Sequence, residues 1–106
     1  MTVSIKDRVK QSTTTTGTGT ITLSSTPSGY QSFSSVFSNG DTVYYVIENG
    51  SMYEIGVGTY SAGTLSRDTV LKSSSGTSLI TLSGRSTVFV AVPADKTIYI
   101  LSLIHI

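Results

Sequence analysis

The sequence has no cysteine and no tryptophan, and its one histidine is His105. Without cysteine the chain has no disulfide framework, no thiolate nucleophile and no cysteine-based zinc site. Its many hydroxyl groups lack a general base, for which histidine is the usual residue. No segment has the apolar length of a signal-peptide core or a bilayer-crossing helix. We therefore expect no enzymatic activity, no cofactor, no metal and no membrane partner.

Charged residues are also scarce, at 12% of the chain, and the formal net charge is +1. A nucleic-acid-binding protein usually clusters lysine and arginine on one face. Here only Lys6, Arg8 and Lys10 lie close together, alternating along a predicted strand. They could form a small basic edge, but the favoured interpretation is that they keep an edge strand soluble and unpaired. We expect no nucleic-acid partner.

What the sequence does contain is abundant serine and threonine among valine, isoleucine and six tyrosines. Threonine and other β-branched residues favour half-exposed strands. Turn residues recur at roughly ten-residue spacing, which is typical of a β-sandwich or barrel. The sequence predicts one all-β domain over residues 1–100, an antiparallel sandwich or barrel of about seven to nine short strands. At most one short helical turn is expected, at residues 30–38, where Phe33 and Phe37 are four apart; a bulged strand is the alternative.

The strongest local signal is Asn49-Gly50 between two apolar runs, the preferred sequence of a type I′ hairpin turn. This turn predicts Tyr44 opposite Ile55, and Val46 opposite Tyr53. One face of the hairpin then carries Tyr44, Val46, Tyr53, Ile55 and Val57. The other face carries Val43, Tyr45, Ile47, Met52 and Glu54.

Both faces of this hairpin are largely apolar. A hairpin with one solvent-exposed face should instead alternate apolar and polar residues along each strand. The core of the same chain can account for one face, and the second face should be covered either by further strands of this chain or by a neighbouring subunit. The candidate residues for packing or subunit contact are Tyr44, Val46, Tyr53, Ile55, Tyr45 and Ile47.

The glycine-rich segment EIGVGTYSAG, residues 54–63, could be mistaken for a phosphate-binding loop. It has no lysine directly after its last glycine, and its glycine spacing fails the dinucleotide pattern. Gly56 and Gly58 fall late in a hairpin strand, where a bulge or close backbone approach is the ordinary explanation. The segment therefore predicts strand and turn, with no nucleotide site.

Carboxylates are few, and none predicts a catalytic or calcium site. Glu48 and Glu54 point to opposite faces of the hairpin, so they cannot act as a glycosidase pair. Asp68 follows Arg67, and the favoured interpretation is an exposed ion pair in a turn, of little energetic weight. The alternative is that Arg67 bridges to backbone carbonyl groups or to another subunit.

Four segments in order resemble a small domain of tailed-bacteriophage virion proteins, found in tail and tail-fibre-associated proteins. They are RVKQSTTTTGTGTITL, GYQSFSSVFSNGDTVYYVIENGSMYEIGVGTY, TLSRDTVLKSSSG and VFVAVPADK. The similarity runs from about Asp7 to Tyr99, and its most specific part is YYVIENG with YEIGVGTY and TLSRDTVL. One departure is Tyr53, where tryptophan would be expected before the glutamate.

The resemblance implies a virion structural protein, a tail or tail-fibre-associated β module that assembles as a homo-oligomer with other virion proteins. It implies location in the virion, after synthesis in the host cytoplasm, and no catalytic residues. One alternative is a carbohydrate- or receptor-binding domain on the particle surface, with a host glycan as partner. Its candidate residues for stacking on sugars are Tyr30, Tyr44, Tyr45 and Tyr60, although core packing is the favoured explanation of these tyrosines. A capsid decoration protein is the other alternative.

The last six residues, LSLIHI, differ in composition from the rest of the chain, because four of the six are apolar and the segment contains no turn signal. They could form a final strand that continues TIYI. The same six residues are encoded by the start of a common transposon-end sequencing adapter. The favoured explanation is that adapter sequence was included in an assembled metagenomic sequence and translated with the gene. We therefore expect residues 101–106 to be a non-native tail, His105 to have no function, and the natural chain to diverge after Ile100.

Overall fold

A computed structural model describes residues 3–4 and 8–91 of the chain. The predictions for residues 101–106 and His105 lie outside these ranges. Within them the strands are β1 (Val3–Ser4), β2 (Lys10–Thr13), β3 (Ile21–Thr22), β4 (Thr42–Asn49), β5 (Met52–Ser61), β6 (Thr64–Leu65), β7 (Thr69–Ser73) and β8 (Ser86–Val90). The helical element is α1 (Phe33–Val36). No helix in the described ranges is long and apolar enough to cross a membrane.

The strands form one curled sheet in the order β2-β8-β4-β5-β6-β3. Strand β7 pairs antiparallel with β5, and β1 pairs parallel with the start of β4. The two ends of the curl meet, because the Ser24 amide donates to the Ser12 carbonyl and the Ser12 amide donates to the Ser25 carbonyl, both at 2.8 Å. The predicted all-β class is confirmed.

Closure of the sheet corrects one prediction about β2. This strand pairs with β8 on one side. On the other side its backbone bonds to Ser24 and Ser25, and the Lys10 amide donates to the Gln31 carbonyl at 3.1 Å. The interpretation that these cations keep an edge strand unpaired is therefore wrong for Arg8 and Lys10, since the strand is hydrogen-bonded on both sides. Lys6, the third residue of that prediction, lies outside the described residues.

The single helical turn lies inside the predicted segment. Its N-cap is Ser32, whose hydroxyl accepts a hydrogen bond from the Ser35 amide, and the turn ends as the Phe37 amide donates to the Phe33 carbonyl. Another orphan amide, that of Phe33, donates to the buried Gln11 carboxamide at 2.8 Å. The helical turn, and not the bulged strand, is the correct alternative.

The hydrophobic core fills the inside of the curl. The helical turn contributes Phe33 and Phe37, whose ring centroids lie 5.7 Å apart, and both rings approach Tyr60 at 6.4 Å. Full burial of a side chain such as Phe33 stabilises the fold by about 1.5–3 kcal/mol. The other buried members of this cluster are Val9, Ile21, Val43, Tyr45, Ile47, Leu65, Ile80, Leu82 and Val88.

The central hairpin of β4 and β5 exists, but its predicted register is wrong. Asn49 pairs with Met52, so the two turn residues are Gly50 and Ser51. Gly50 has φ of +62° while Ser51 has no positive φ, the sign pattern of a type II′ turn. Each partner shifts by two positions, so Val46 lies opposite Ile55 and Tyr44 opposite Val57. A shift of two positions keeps every side chain on its predicted face.

Candidate functional site

The side of the sheet turned away from the core, here called the outer face, carries a continuous row of side chains. Pairwise register places Lys10 beside Phe89, Phe89 beside Val46, Val46 beside Ile55, and Ile55 beside Lys72. Directly opposed residues share a face, so the row crosses five neighbouring strands. Its three apolar members are half-buried. The outer face therefore has an apolar centre with a lysine at each end.

Of the six predicted contact residues, the structure brings four together on the outer face. Val46, Tyr53 and Ile55 are half-buried there. Tyr44 is 4% exposed and packs with Val57 and Leu71 in a second, smaller apolar cluster. The other two predicted residues, Tyr45 and Ile47, are fully buried in the main core, where they pack against the rest of the same chain.

On the inner side of the hairpin, the carboxylate of Glu54 is completely buried. Its Oε2 atom accepts hydrogen bonds from the Tyr45 hydroxyl at 2.6 Å and from Arg67 Nε at 2.9 Å. Its Oε1 atom accepts from Arg67 Nη2 at 2.5 Å and from the Ile80 amide at 3.0 Å. A buried charge is tolerated when it is paired and hydrogen-bonded in this way.

Arg67 is the second half of this network and spans three separate segments of the chain. Besides its bidentate pair with Glu54, it donates through Nη1 to the Gly17 carbonyl at 3.1 Å and through Nη2 to the Ile80 carbonyl at 2.6 Å. The favoured prediction of an exposed Arg67–Asp68 pair is wrong, and the alternative of bridging to carbonyl groups is correct. Asp68 instead accepts from the hydroxyl groups of Thr59 and Ser66.

The protonation states in the network follow from its geometry. Burial by itself raises the pKa of Glu54, but hydrogen bonds from Arg67, Tyr45 and the Ile80 amide outweigh it and hold the pKa below its ordinary value. Burial, and then the hydrogen bond to the Glu54 carboxylate, raise the pKa of Tyr45 far above its ordinary value. The network therefore holds an ionised carboxylate, a guanidinium and a neutral phenol.

Every polar side-chain atom of this network is hydrogen-bonded. In the described residues no buried side-chain nitrogen or oxygen lacks a hydrogen-bond partner. Glu54 has no atom in contact with solvent, so it has no room for a substrate or a metal. The network joins β4, β5 and the segments around Arg67, Gly17 and Ile80. We conclude that it acts as a structural lock of the curled sheet.

The sequence predicts the correct face for Glu54 but does not predict Arg67 as its partner. A single carboxylate among apolar residues on a covered face requires a buried cation or hydrogen-bond donors. This requirement alone indicates that Glu54 has a buried partner, and the chain has few lysine and arginine residues that could be its cation. In the part of the chain that the structure describes, no group of three or more histidine, aspartate or glutamate residues could hold a metal ion.

The glycines of β5 explain why the glycine-rich segment is a scaffold. A Cβ atom on Gly58 would lie 2.0 Å from the Ser66 carbonyl oxygen, and one on Gly56 would lie 2.4 Å from that of Thr69. The pairing of β5 with β7 is also irregular between Ile55 and Gly56. Of the two predicted explanations, a bulge or close backbone approach, close backbone approach is confirmed.

The tyrosines predicted as sugar-stacking residues separate into two groups. Tyr44, Tyr45 and Tyr60 are at most 4% exposed. A buried ring cannot stack on a sugar, so for these three residues the favoured explanation, core packing, is correct and the sugar-stacking alternative is wrong. Tyr30 is half-buried, and its ring lies 4.3 Å from the Arg8 guanidinium carbon and 4.8 Å from Lys10 Nζ.

Comparison with known proteins finds no matching family model, no curated protein and no solved structure similar to this chain.

Proposed function

We propose that this chain is a structural β module of a bacteriophage virion, associated with the tail or tail fibre. It functions by assembly with further copies of itself and with other virion proteins, and it has no catalytic role. The observation that carries the assembly proposal is the apolar row of the outer face. The virion proposal is supported by the resemblance of the four sequence segments.

The outer face has the composition of a contact surface. In a hairpin with one side in water, polar residues occupy the wet side. Here Val46, Ile55 and Phe89 lie side by side on adjacent strands, each half-buried, and Lys10 and Lys72 flank them. An apolar centre with a polar rim is the usual anatomy of a protein–protein interface. A neighbouring copy placed on this row would complete its burial.

The segments that carry the resemblance are the ones that build the fold. They include both strands of the central hairpin, the two close-approach glycines Gly56 and Gly58, and Arg67 of the structural lock. Gly56 and Gly58 have no side chain, and the Arg67 guanidinium is buried against Glu54. The likeness therefore concerns a scaffold, which supports a structural role in the particle.

The assembly proposal is tested by measuring molar mass in solution with light scattering over a range of protein concentrations. We expect the wild-type protein to form oligomers. Ile55→Lys should shift it toward monomers, because a third charge in the apolar row opposes burial of the face. Thr18→Lys is the matched control, since it adds the same charge at an exposed loop position that is not part of the outer row.

Two outcomes would contradict these proposals separately. A wild-type protein that remains monomeric at every concentration would contradict assembly through the outer face. Mass spectrometry of phage particles purified from the bacterium that encodes the chain tests the virion proposal, which fails if no peptide of the chain is found. Immunogold labelling of the same particles distinguishes a tail position from capsid decoration.

A further inference from the structure

A second surface feature lies at the β2 end of the outer face, where two cations share one aromatic ring. We call Arg8, Lys10, Tyr30 and Phe89 the basic–aromatic cluster. The Arg8 guanidinium carbon lies 4.3 Å from the centre of the Tyr30 ring. Lys10 Nζ lies 4.8 Å from the same ring and 5.7 Å from the Phe89 ring. Both distances from Lys10 are within the range of a cation–π contact.

Backbone pairing brings these residues together and holds them. Lys10 lies opposite Phe89 in the β2–β8 register. Gln31 bonds to the backbone on either side of Val9, donating to the Arg8 carbonyl at 2.6 Å and accepting from the Lys10 amide, so Tyr30 is fixed alongside. The cluster is therefore set by strand pairing and not by flexible side chains alone.

Neither cation of the cluster is neutralised by an acidic partner in the described ranges, where the one ion pair is that between Arg67 and Glu54. Arg8 donates through Nε to the Gly29 carbonyl at 3.0 Å. Its two terminal nitrogens and the Lys10 ammonium group make no hydrogen bond to any residue that the structure describes. These donors are held in position and remain available to an anion.

Arg8 also has a backbone conformation that is unusual for its residue type. Its φ is +56°, in the left-handed region that non-glycine residues seldom adopt. Such strain persists where surrounding contacts impose it, and it is enriched at binding sites. Protection of an open edge does not explain the two cations, because β2 is hydrogen-bonded on both sides.

We propose that the basic–aromatic cluster binds an acidic sugar, a saccharide unit that carries one carboxylate. The terminal nitrogens of Arg8 form a planar fork that matches a carboxylate, and the Lys10 ammonium adds a second positive charge. The exposed part of Tyr30 provides apolar surface for the carbon–hydrogen bonds of the sugar ring. This proposal does not rest on assembly through the outer face.

The number of cations favours a single carboxylate over a nucleic acid. A protein that binds single-stranded nucleic acid follows its backbone with a row of positive charges. The cluster contains two cations, and the whole chain has a formal net charge of +1. Two adjacent cations more than balance the charge of one carboxylate, but they are too few to follow a row of phosphates.

The test is a calorimetric titration of the full chain with tetragalacturonate at low salt. Its fully methyl-esterified form is the ligand control, since it keeps the sugar rings and removes the charges. We expect saturable binding of the acid that weakens with salt, and none of the ester. Lys10→Gln and Arg8→Gln should each weaken binding by about tenfold or more, the scale of one charge-assisted hydrogen bond.

Lys72→Gln is the matched control variant, because Lys72 ends the same outer row four strands away from Lys10 and makes no described contact with an aromatic ring. It should bind the acid like the wild type, and equal denaturation midpoints would show that the variants fold alike. The proposal is overturned if the acid does not bind, if the ester binds equally, or if Lys72→Gln loses as much affinity as Lys10→Gln. Tighter binding of an oligothymidylate than of the acidic sugar would also overturn it.

Discussion

Tyr45 and Gly56 lie directly opposite each other on β4 and β5, and the tyrosine ring occupies the space that a side chain at position 56 would need. A Cβ atom on Gly56 would lie 2.6 Å from the Tyr45 hydroxyl oxygen and 2.8 Å from its Cζ atom. Because glycine has no Cβ atom, the Tyr45 ring can occupy this space while its hydroxyl donates to Glu54. The glycine is thus required by the buried network.

Gly56→Ala should destabilise the protein by about 1–3 kcal/mol or more, the usual cost of adding a carbon to a packed site. The Thr69 carbonyl oxygen, 2.4 Å from the added carbon, belongs to backbone and cannot rotate away. Urea denaturation measures the effect. Gly19→Ala is the control, because nothing lies within 4 Å of its added carbon and its φ is not positive. Equal stabilities for the two variants would contradict the close packing.

The faces of the central hairpin could be predicted from the sequence because alternation is a local property. Glu54 was assigned correctly to the face of Tyr45 and Ile47 by this alternation alone. Its partner cannot be predicted from local pattern, because Arg67 is thirteen residues away in the chain and meets Glu54 through the pairing of β6 with β5. Strands β3 and β6 have two residues each, too few to carry any periodic pattern, so the closure of the curl was also beyond prediction.

Arg67→Met should destabilise the protein by about 3–5 kcal/mol, since it leaves the buried Glu54 carboxylate without its cation. Glu54→Gln should be destabilising in the wild-type protein but stabilising in the Arg67→Met background, where it removes an unpaired charge. Denaturation of the four proteins of this double-mutant cycle measures the coupling. Arg85→Met is the surface control and should change stability by no more than about 0.5 kcal/mol. Additive effects would contradict a coupled buried pair.

Stability should decline in acid because of Glu54. Its folded-state pKa lies below the ordinary value of 4.5, so the ionised form stabilises the fold above that value. This contribution is lost as the pH falls from about 4.5 through the folded-state pKa. Glu54→Gln should flatten the acid limb of the stability–pH curve, whereas Glu48→Gln, at an exposed position of β4, should leave it in place. An acid limb unchanged by Glu54→Gln would count against the assignment.

The free energy of unfolding should also decrease at alkaline pH, because of Tyr45. The folded-state pKa of this residue is raised above the ordinary value of 10.0. A raised pKa gives stability that is complete below the unfolded-state value and is lost as the pH rises above it. Tyr45→Phe should therefore lose less stability than the wild type between neutral pH and strongly alkaline conditions. Tyr30→Phe, at a half-buried surface position, is the control and should follow the wild-type curve.

Asn49 explains why the hairpin turn lies one residue later than the Asn-Gly pair predicts. Its carboxamide nitrogen donates to the Ser83 carbonyl and to the Ser86 hydroxyl, both at 2.7 Å. These partners lie 34 and 37 residues further along the chain, so no local sequence pattern predicts them. They hold Asn49 in the strand, and the turn passes to Gly50 and Ser51.

Asn49→Asp distinguishes the observed turn from the predicted one. Asp-Gly suits a type I′ turn as well as Asn-Gly does, so the predicted turn implies little change in stability. In the observed structure the substitution removes the donor and places carboxylate oxygen against the Ser83 carbonyl, which should cost about 1–3 kcal/mol or more. The chain provides its own control in Asn39, also followed by glycine, whose Oδ1 atom accepts from the Ala62 amide at 2.7 Å. Asn39→Asp keeps that acceptor and should be nearly neutral by urea denaturation, so equal midpoints for the two variants would restore the type I′ turn.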